Sequence, residues 1–121
     1  MNADDLLTRL GDVLNGHRWA QLPILLHPDF TCLLVHTGER FTRDEWVRFN
    51  AEYPGFQGYE LVDRVVSGDR AAARAHVTGL VAGRLRHFEV AEFLTAKNGL
   101  IADLVEVWAD LDQAPPTRDN R

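Results

Sequence analysis

The N-terminal half of the chain carries apolar residues at the period of an α-helix. Within residues 4–14 the apolar positions fall on one helical face; they are Leu6, Leu7, Leu10, Val13 and Leu14. A second apolar stretch, residues 17–27, predicts another helix, in which Pro23 either causes a kink or lies in the first turn. Residues 42–45 have the Thr-x-x-Glu spacing of a capping box and predict a third helix that ends before Pro54.

The other apolar segments have the short, β-branched and aromatic-rich character of strands. Residues 28–36 predict one strand between the second and third helices. Four antiparallel strands are predicted after the third helix, over residues 59–67, 70–83, 85–95 and 100–111. Helices grouped against one antiparallel sheet predict an α+β fold.

Length and charge restrict the classes of partner. The 121 residues predict one domain over residues 1–113 and a flexible tail, residues 114–121. A net charge of -5 argues against nucleic-acid binding, because neutralising phosphates requires a basic face. No apolar run approaches the roughly 20 residues that span a bilayer, so we expect no membrane association. The single cysteine, Cys32, excludes an internal disulfide and fits a cytoplasmic location.

The last predicted strand has a carboxylate, Glu106, in the middle of the apolar run LVEVW. Strand side chains alternate between two faces, and the set with Val105 and Val107 is more apolar than the set with Glu106. The pattern alone would bury the valines and expose Glu106.

The turn Asn98-Gly99 sets the expected register of the last two strands. A two-residue turn would pair Ala91 with Glu106, Phe93 with Leu104, and Glu89 with Trp108. In that register Glu89 is a diagonal neighbour of Glu106, and Ala91 leaves room for a ligand. Two carboxylates in an apolar cavity repel each other, which raises one pKa and makes a general acid or base near neutral pH.

Two segments carry a likeness to a known superfamily: ILLHPDFTCLLVHTGERFTRDEWVRF, residues 24–49, and FEVAEFLTAKNGLIADLVEVWAD, residues 88–110. Together with the order of elements, they resemble the nuclear transport factor 2-like superfamily. The resemblance implies a cone-shaped barrel, in which a curved, mostly antiparallel sheet wraps around three helices from the N-terminal half. This superfamily includes isomerases, dehydratases, SnoaL-like polyketide cyclases, epoxide hydrolases and inactive domains, so the fold does not select the activity.

The resemblance also has implications for single residues. Compared with ketosteroid isomerases, Trp108 would line the cavity, but the acid and base positions fall at Ala91 and near Leu34. Neither side chain can do that chemistry, which argues against steroid isomerisation. In limonene epoxide hydrolases an aspartate of the last strand activates water, and Glu106 matches that position. The resemblance thus turns Glu106 towards the cavity, against the apolar pattern.

We therefore predict a small-molecule pocket that carries acid/base chemistry: dehydration, isomerisation, cyclisation or hydrolysis of a small apolar substrate. The catalytic candidates are Glu106, His36 and Glu89. The ligand-binding candidates are Phe30, Tyr53, Phe93, Leu104 and Trp108. No cofactor is implied, and the spacing of the histidines does not indicate a metal site.

An alternative remains open at this point: a non-catalytic, dimeric ligand-binding or accessory domain whose cavity is filled by apolar side chains. In that case Glu106 would bond to a backbone amide or to Arg40 or Arg43, or be solvated. His36 is equally compatible with a pocket mouth and with an exposed loop. On either hypothesis the apolar residues facing outward, such as Val105 and Val107, predict a homodimer through the outer sheet face.

Overall fold

Two α-helices lie against one face of a curved, unclosed six-stranded sheet in the computed structural model, which describes residues 1–118. We call the face that packs against the helices the inner face, and the opposite one the outer face. In chain order the elements are α1 (Ala3–Asn15), 3₁₀ turns Trp19–Gln21 and Pro23–Leu25, β1 (Leu26–Leu34), β2 (Arg40–Thr42), α2 (Arg43–Glu52), β3 (Phe56–Ser67), β4 (Arg70–Val81), β5 (Arg84–Lys97) and β6 (Leu100–Asp110). The predicted α+β cone fold is confirmed.

Helix α1 forms where the apolar period predicted it. The Asn2 side chain accepts a hydrogen bond from the Asp5 amide at 2.8 Å, which caps the helix, and acidic residues occupy the first turn. All five predicted leucine and valine positions are buried. Gly11 faces β3 so closely that an added Cβ would lie 3.0 Å from Leu61 Cδ1. The glycine thus allows the helix to sit directly on the sheet.

The predicted second helix is wrong. This region contains only two 3₁₀ turns, and Pro23 opens the second of them. Proline has no amide hydrogen and clashes with the preceding turn, so a continuous α-helix through this position is disfavoured. The chain becomes extended at Leu26, two residues before the predicted start of the first strand.

The third predicted helix is α2, and its capping box is present. The Thr42 amide donates to Glu45 Oε1 at 2.8 Å, a bond that also lowers the pKa of Glu45. The short strand β2, which was not predicted, directly precedes α2 and pairs with β1 through Cys32 and Phe41. Three residues are too few for an alternation pattern to be recognised.

The strand order is β2-β1-β6-β5-β4-β3. The β1–β6 pair is parallel and all other pairs are antiparallel, as a mostly antiparallel sheet requires. The core lies between the helices and the inner face; its largest fully buried side chains include Phe30, Trp46, Leu94, Ile101 and Leu104. Cys32 is buried in the same core as a free thiol.

A β-bulge at Ala102 changes the predicted register of the last hairpin. Lys97 pairs with Leu100, as expected, but Thr95 then pairs with Asp103, which leaves Ala102 as an extra residue. Beyond this point every predicted pair is wrong by one residue. Consequently Glu92, and not Ala91, lies opposite Glu106.

The C-terminal segment beyond β6 has no regular secondary structure from residue 113 to residue 118, and these residues are exposed. Residues 119–121, the end of the predicted tail, lie outside the described residues. Within residues 1–118 no helix is both long enough and apolar enough to cross a membrane.

Candidate functional site

A cavity of about 510 Å³ lies between α2 and the inner face of the sheet. Its wall is mainly apolar and includes Leu34, Phe49, Phe56, Val77, Phe88 and Trp108. Polar side chains in the wall are those of His36, Thr37, Glu39, Asn50, Tyr53, Tyr59, Thr78, Glu106 and Asp110. This size and this mixture of apolar wall and few polar groups are typical of small-molecule sites.

Glu106 lies in the cavity wall, and its residue is only 5% exposed. The bulge at Ala102 is the reason: it reverses the alternation, so that Leu104, Glu106 and Trp108 face inward while Val107 faces outward. Trp108 Nε1 donates to Glu106 Oε1 at 3.2 Å. Glu106 therefore faces the cavity, as the family resemblance implied. The apolar pattern, which predicted an exposed Glu106, was wrong.

Glu92 is a second buried carboxyl, directly opposite Glu106 on β5 and 1% exposed. The Tyr59 hydroxyl donates to Glu92 Oε1 at 2.5 Å. Tyr59 is itself held from the helical side, because its amide donates to Asn15 Oδ1 at 3.0 Å. One polar cluster, made of Tyr59, Glu92 and Glu106, is thus held inside an apolar core by strands β3, β5 and β6 and by the end of α1.

Burial is the main cause of the raised pKa values of Glu106, Glu92 and Tyr59. It raises the pKa of Glu106 well above the ordinary value, and the neighbouring charge of Glu92 raises it further. Burial also raises the pKa of Glu92, while the hydrogen bond from Tyr59 opposes that increase. The pKa of Tyr59 is raised by burial first and then by Glu92, so its hydroxyl keeps its proton. A carboxyl that retains a proton near neutral pH can serve as a general acid.

Three of the predicted site residues line the cavity besides Glu106. Trp108 forms part of the wall, whereas His36 and Tyr53 lie at its exposed edge. His36 belongs to the loop after β1, and Tyr53 follows α2 with 55% of its surface exposed. The mouth of the cavity therefore carries an imidazole and a phenol.

The predicted positions of Glu89 and Phe93 were wrong. Both lie on the outer face, because the bulge pairs them with Ala109 and Val105. Glu89 Oε1 accepts a hydrogen bond from Arg74 Nη1 at 2.7 Å, so this carboxylate belongs to a surface ion pair.

Phe30 and Leu104, two predicted ligand-binding residues, belong to the packed core. Phe30 is 1% exposed and its ring centroid is 5.2 Å from that of Trp46. Leu104 is fully buried. Neither side chain is part of the cavity wall.

Sequence reasoning missed Glu92 and Tyr59. Glu92 lies in VAEFL, an apolar run with a carboxylate at its centre, just as Glu106 lies in LVEVW. Antiparallel pairing of these two runs was a usable signal that the carboxyls could face each other. A bulge has no clear sequence signature here, because the extra residue, Ala102, is an ordinary alanine and not a glycine.

Several solved structures are similar to this chain. A candidate ketosteroid isomerase from Kribbella flavida DSM 17836 is 31% identical, with 95% of this chain and 83% of that chain covered and a TM-score of 0.81. A candidate SnoaL-like polyketide cyclase from Jannaschia sp. CCS1 is 17% identical, with coverage of 88% and 84% and a TM-score of 0.76. IdmH, a candidate polyketide cyclase from Streptomyces antibioticus, is 19% identical, with coverage of 89% and 92% and a TM-score of 0.76. The last two show the fold alone.

The search of curated proteins found no match to this chain. A family model, however, matches its sequence. The family model for the SnoaL-like domain matches residues 7–104, which include α1 from Leu7 onward, β1 to β5 and the first five residues of β6. The chain belongs to the SnoaL-like domain family, within the nuclear transport factor 2-like superfamily.

Proposed function

We propose that this SnoaL-like domain is a cofactor-free acid/base catalyst for a small, apolar carbonyl compound or epoxide. The reaction classes are isomerisation, dehydration, cyclisation and hydrolysis, in which a carboxyl moves a proton to or from the substrate. One observation carries the proposal: the Glu106 carboxyl, with its raised pKa, lies in the wall of a cavity large enough for such a molecule.

Roles for the other cavity residues follow from their positions. Phe56, Phe88 and Trp108 offer aromatic surface to an apolar substrate. His36, at the exposed edge, would exchange protons between solvent and the bound molecule. Tyr53 would bond to a polar end of the substrate with its hydroxyl.

The charges of the cavity wall support a neutral substrate. Asp110 is already paired with Arg86 at 2.9 Å, and within residues 1–118 the wall includes no lysine or arginine. A carboxylate or phosphate on the substrate would therefore find no cationic partner among these wall residues and would be repelled by the carboxylate of Glu39. The relative from Kribbella flavida is described as a candidate ketosteroid isomerase, a name that denotes a carbonyl substrate, which agrees with this choice.

Exchange of carbonyl α-protons with deuterium tests the catalytic part directly. The purified protein is incubated in D₂O with 2-decalone, an apolar and enolisable ketone, and exchange is followed by NMR; opening of cyclohexene oxide is followed in parallel. We expect catalysed exchange or opening that falls by about 10²–10⁴-fold in Glu106→Gln. Glu89→Gln, on the same sheet but on its outer face, is the matched control and should keep the wild-type rate.

The non-catalytic alternative gives a different result in the same experiment. It predicted a cavity filled by apolar side chains, and the open volume of about 510 Å³ favours the catalytic proposal. Binding of these probes, seen as a change in melting temperature without turnover of any of them, would instead favour a ligand-binding domain.

We also propose that the outer face joins two copies of this chain, in a reducing, cytoplasmic environment. Val65, Ala72, Phe93 and Val105 are cross-strand neighbours in one row, and Val65 and Phe93 are 71% and 41% exposed. Light scattering should show a dimer for the wild type and a monomer for Phe93→Lys. A wild-type monomer at micromolar concentration would contradict the proposal.

A further inference from the structure

Four side chains in the core form one connected polar line. Tyr59 donates to Glu92 Oε1 at 2.5 Å, Glu92 and Glu106 face each other across β5 and β6, and Trp108 donates to Glu106 Oε1 at 3.2 Å. Glu106, Trp108 and Tyr59 reach the cavity wall, whereas Glu92 does not. The arrangement therefore has a cavity-facing carboxyl and a hidden one.

The two carboxyls cannot both be ionised without a large cost. Both are at least 95% buried, and like charges this close in an apolar core repel strongly. The pair therefore keeps at least one proton at neutral pH, and the remaining question is which carboxyl holds it.

The hydrogen-bond donors Tyr59 and Trp108 decide which carboxyl holds the proton. The short Tyr59 bond is the stronger of the two donor bonds, since an O–H···O bond to a carboxylate is strongest at this length, and it stabilises a negative charge on Glu92. Glu92 Oε2 is buried without a conventional donor among residues 1–118. A protonated Glu106 would supply that missing donor, whereas its Oε1 already accepts from Trp108.

We infer that Tyr59 and Glu92 are positioning residues that keep the last proton of the carboxyl pair on Glu106, so that the cavity-facing group rests as an acid. This inference rests on the proposed function, because it assigns the starting state of the proposed catalyst. In the first step the proton would leave Glu106 for a substrate oxygen, and the resulting carboxylate would regain one from a substrate carbon or from water. Glu92 does not touch the substrate in this scheme.

Other titratable groups near the pair do not change the assignment. From β1, the Cys32 thiol faces the carboxyls, and burial together with their charge raises its pKa, so it stays neutral. From β3, Arg64 acts on Tyr59 and slightly opposes the increase in its pKa. From β6, Asp103 adds negative charge near Cys32, and its carboxylate accepts a bond from Thr31 at 2.7 Å. None of them offers a donor to Glu92 Oε2.

The experiment is a pH titration of glutamate side chains labelled with ¹³C, followed by NMR without any ligand. In the wild type one carboxyl should stay protonated well above the ordinary range, and its signal should be the one that disappears in Glu106→Gln. Glu92→Gln should lower the pKa of Glu106, because it removes the neighbouring charge. Tyr59→Phe should lower it as well and raise that of Glu92. Glu89→Gln should leave the titration unchanged.

Two results would overturn the inference: a wild-type protein in which Glu92 keeps the last proton, or a Glu106 titration that is the same in Glu92→Gln as in the wild type. Glu92→Gln has nearly the shape of the native residue, so it tests the idea even if Tyr59→Phe does not fold. A substitution that only loosened the core would admit water and lower the pKa of both carboxyls, whereas Tyr59→Phe should lower that of Glu106 and raise that of Glu92. Because no substrate is present, the titration tests the position of the proton and not the proposed catalysis. Either proposal can therefore fail while the other holds.

Discussion

Glu92 and Glu89 lie three residues apart on β5, yet they have opposite surroundings. Glu89 is on the outer face, where it forms an ion pair with Arg74. Glu92 is on the inner face, where it meets Tyr59 and a second carboxyl and no cation in the part of the chain that the structure describes. The comparison shows that the chemistry of a glutamate in this sheet depends on the face to which its strand turns it, and a one-residue change of register exchanges the two faces.

The largest effect should come from changing the register of β6. An alanine inserted between Leu104 and Val105 moves the following residues by one position, so that the rest of β6 must either turn Glu106 to the outer face or lose its pairing with β5. We expect destabilisation by more than about 3 kcal/mol, because valines and the carboxyl would exchange environments. Urea unfolding measures the loss, and deletion of Ala102 is the control, since it removes only the bulged residue and leaves the pairs on either side in regular register, with Glu106 facing inward. Wild-type stability after the insertion would mean that this register does not fix the two faces.

The second effect is catalytic and contrasts the two faces through matched substitutions. Glu106→Gln should lower turnover of the probe ketone or epoxide by about 10²–10⁴-fold, since it removes the proposed proton donor. Glu89→Gln alters a carboxylate that is remote from the cavity and should change the rate by less than about twofold. Equal losses in both variants would show that net charge, and not the buried group, controls the reaction.

The third effect concerns how the free energy of unfolding depends on pH. In the unfolded chain both inner carboxyls ionise near their ordinary pKa of about 4.3, whereas in the folded chain burial raises both pKa values. Their contribution is therefore complete below that pH and is lost as the pH rises through the raised values, by about 1.4 kcal/mol per pH unit for each proton involved. Glu92→Gln should flatten this slope in urea unfolding series, and Glu89→Gln should preserve it. A wild-type protein that gains stability as the pH rises from 5 to 8 would contradict the expectation.

The smallest effect should come from Trp108→Phe, which keeps an aromatic wall but removes the N–H donor to Glu106. Because that donor lowers the pKa of Glu106, its loss should raise the pKa. The stability cost should be about 1 kcal/mol, the usual value for a single hydrogen bond. The ¹³C titration and urea unfolding provide both quantities. A lowered pKa in this variant would show that the indole does not stabilise the ionised carboxyl.

The sequence predicts the fold well where local rules dominate. The apolar face of α1, the capping box of Thr42 and the Asn98-Gly99 turn each depend on a few neighbouring residues, and all three are found. Pro23 was recognised as an obstacle, but the competition between a kinked helix and 3₁₀ turns is decided by packing.

The candidate site was harder to predict, because it depends on register between distant segments. Glu106 and Trp108 were found through family resemblance, but Glu89 was chosen in place of Glu92 by counting from the turn without the bulge. Tyr59 reaches the pair from β3, more than thirty residues earlier, and no local pattern indicates that contact.

The parallel pairing of β1 with β6 has a consequence for how the chain reaches its native state. Leu34 and Glu106 are partners in that pair although 72 positions separate them, so this edge of the sheet cannot form until nearly the whole chain has been synthesised. The acidic side chain thus leaves water in one of the last steps of folding. An emerging polypeptide on the ribosome would carry both helices and the first five strands before Glu106 was added.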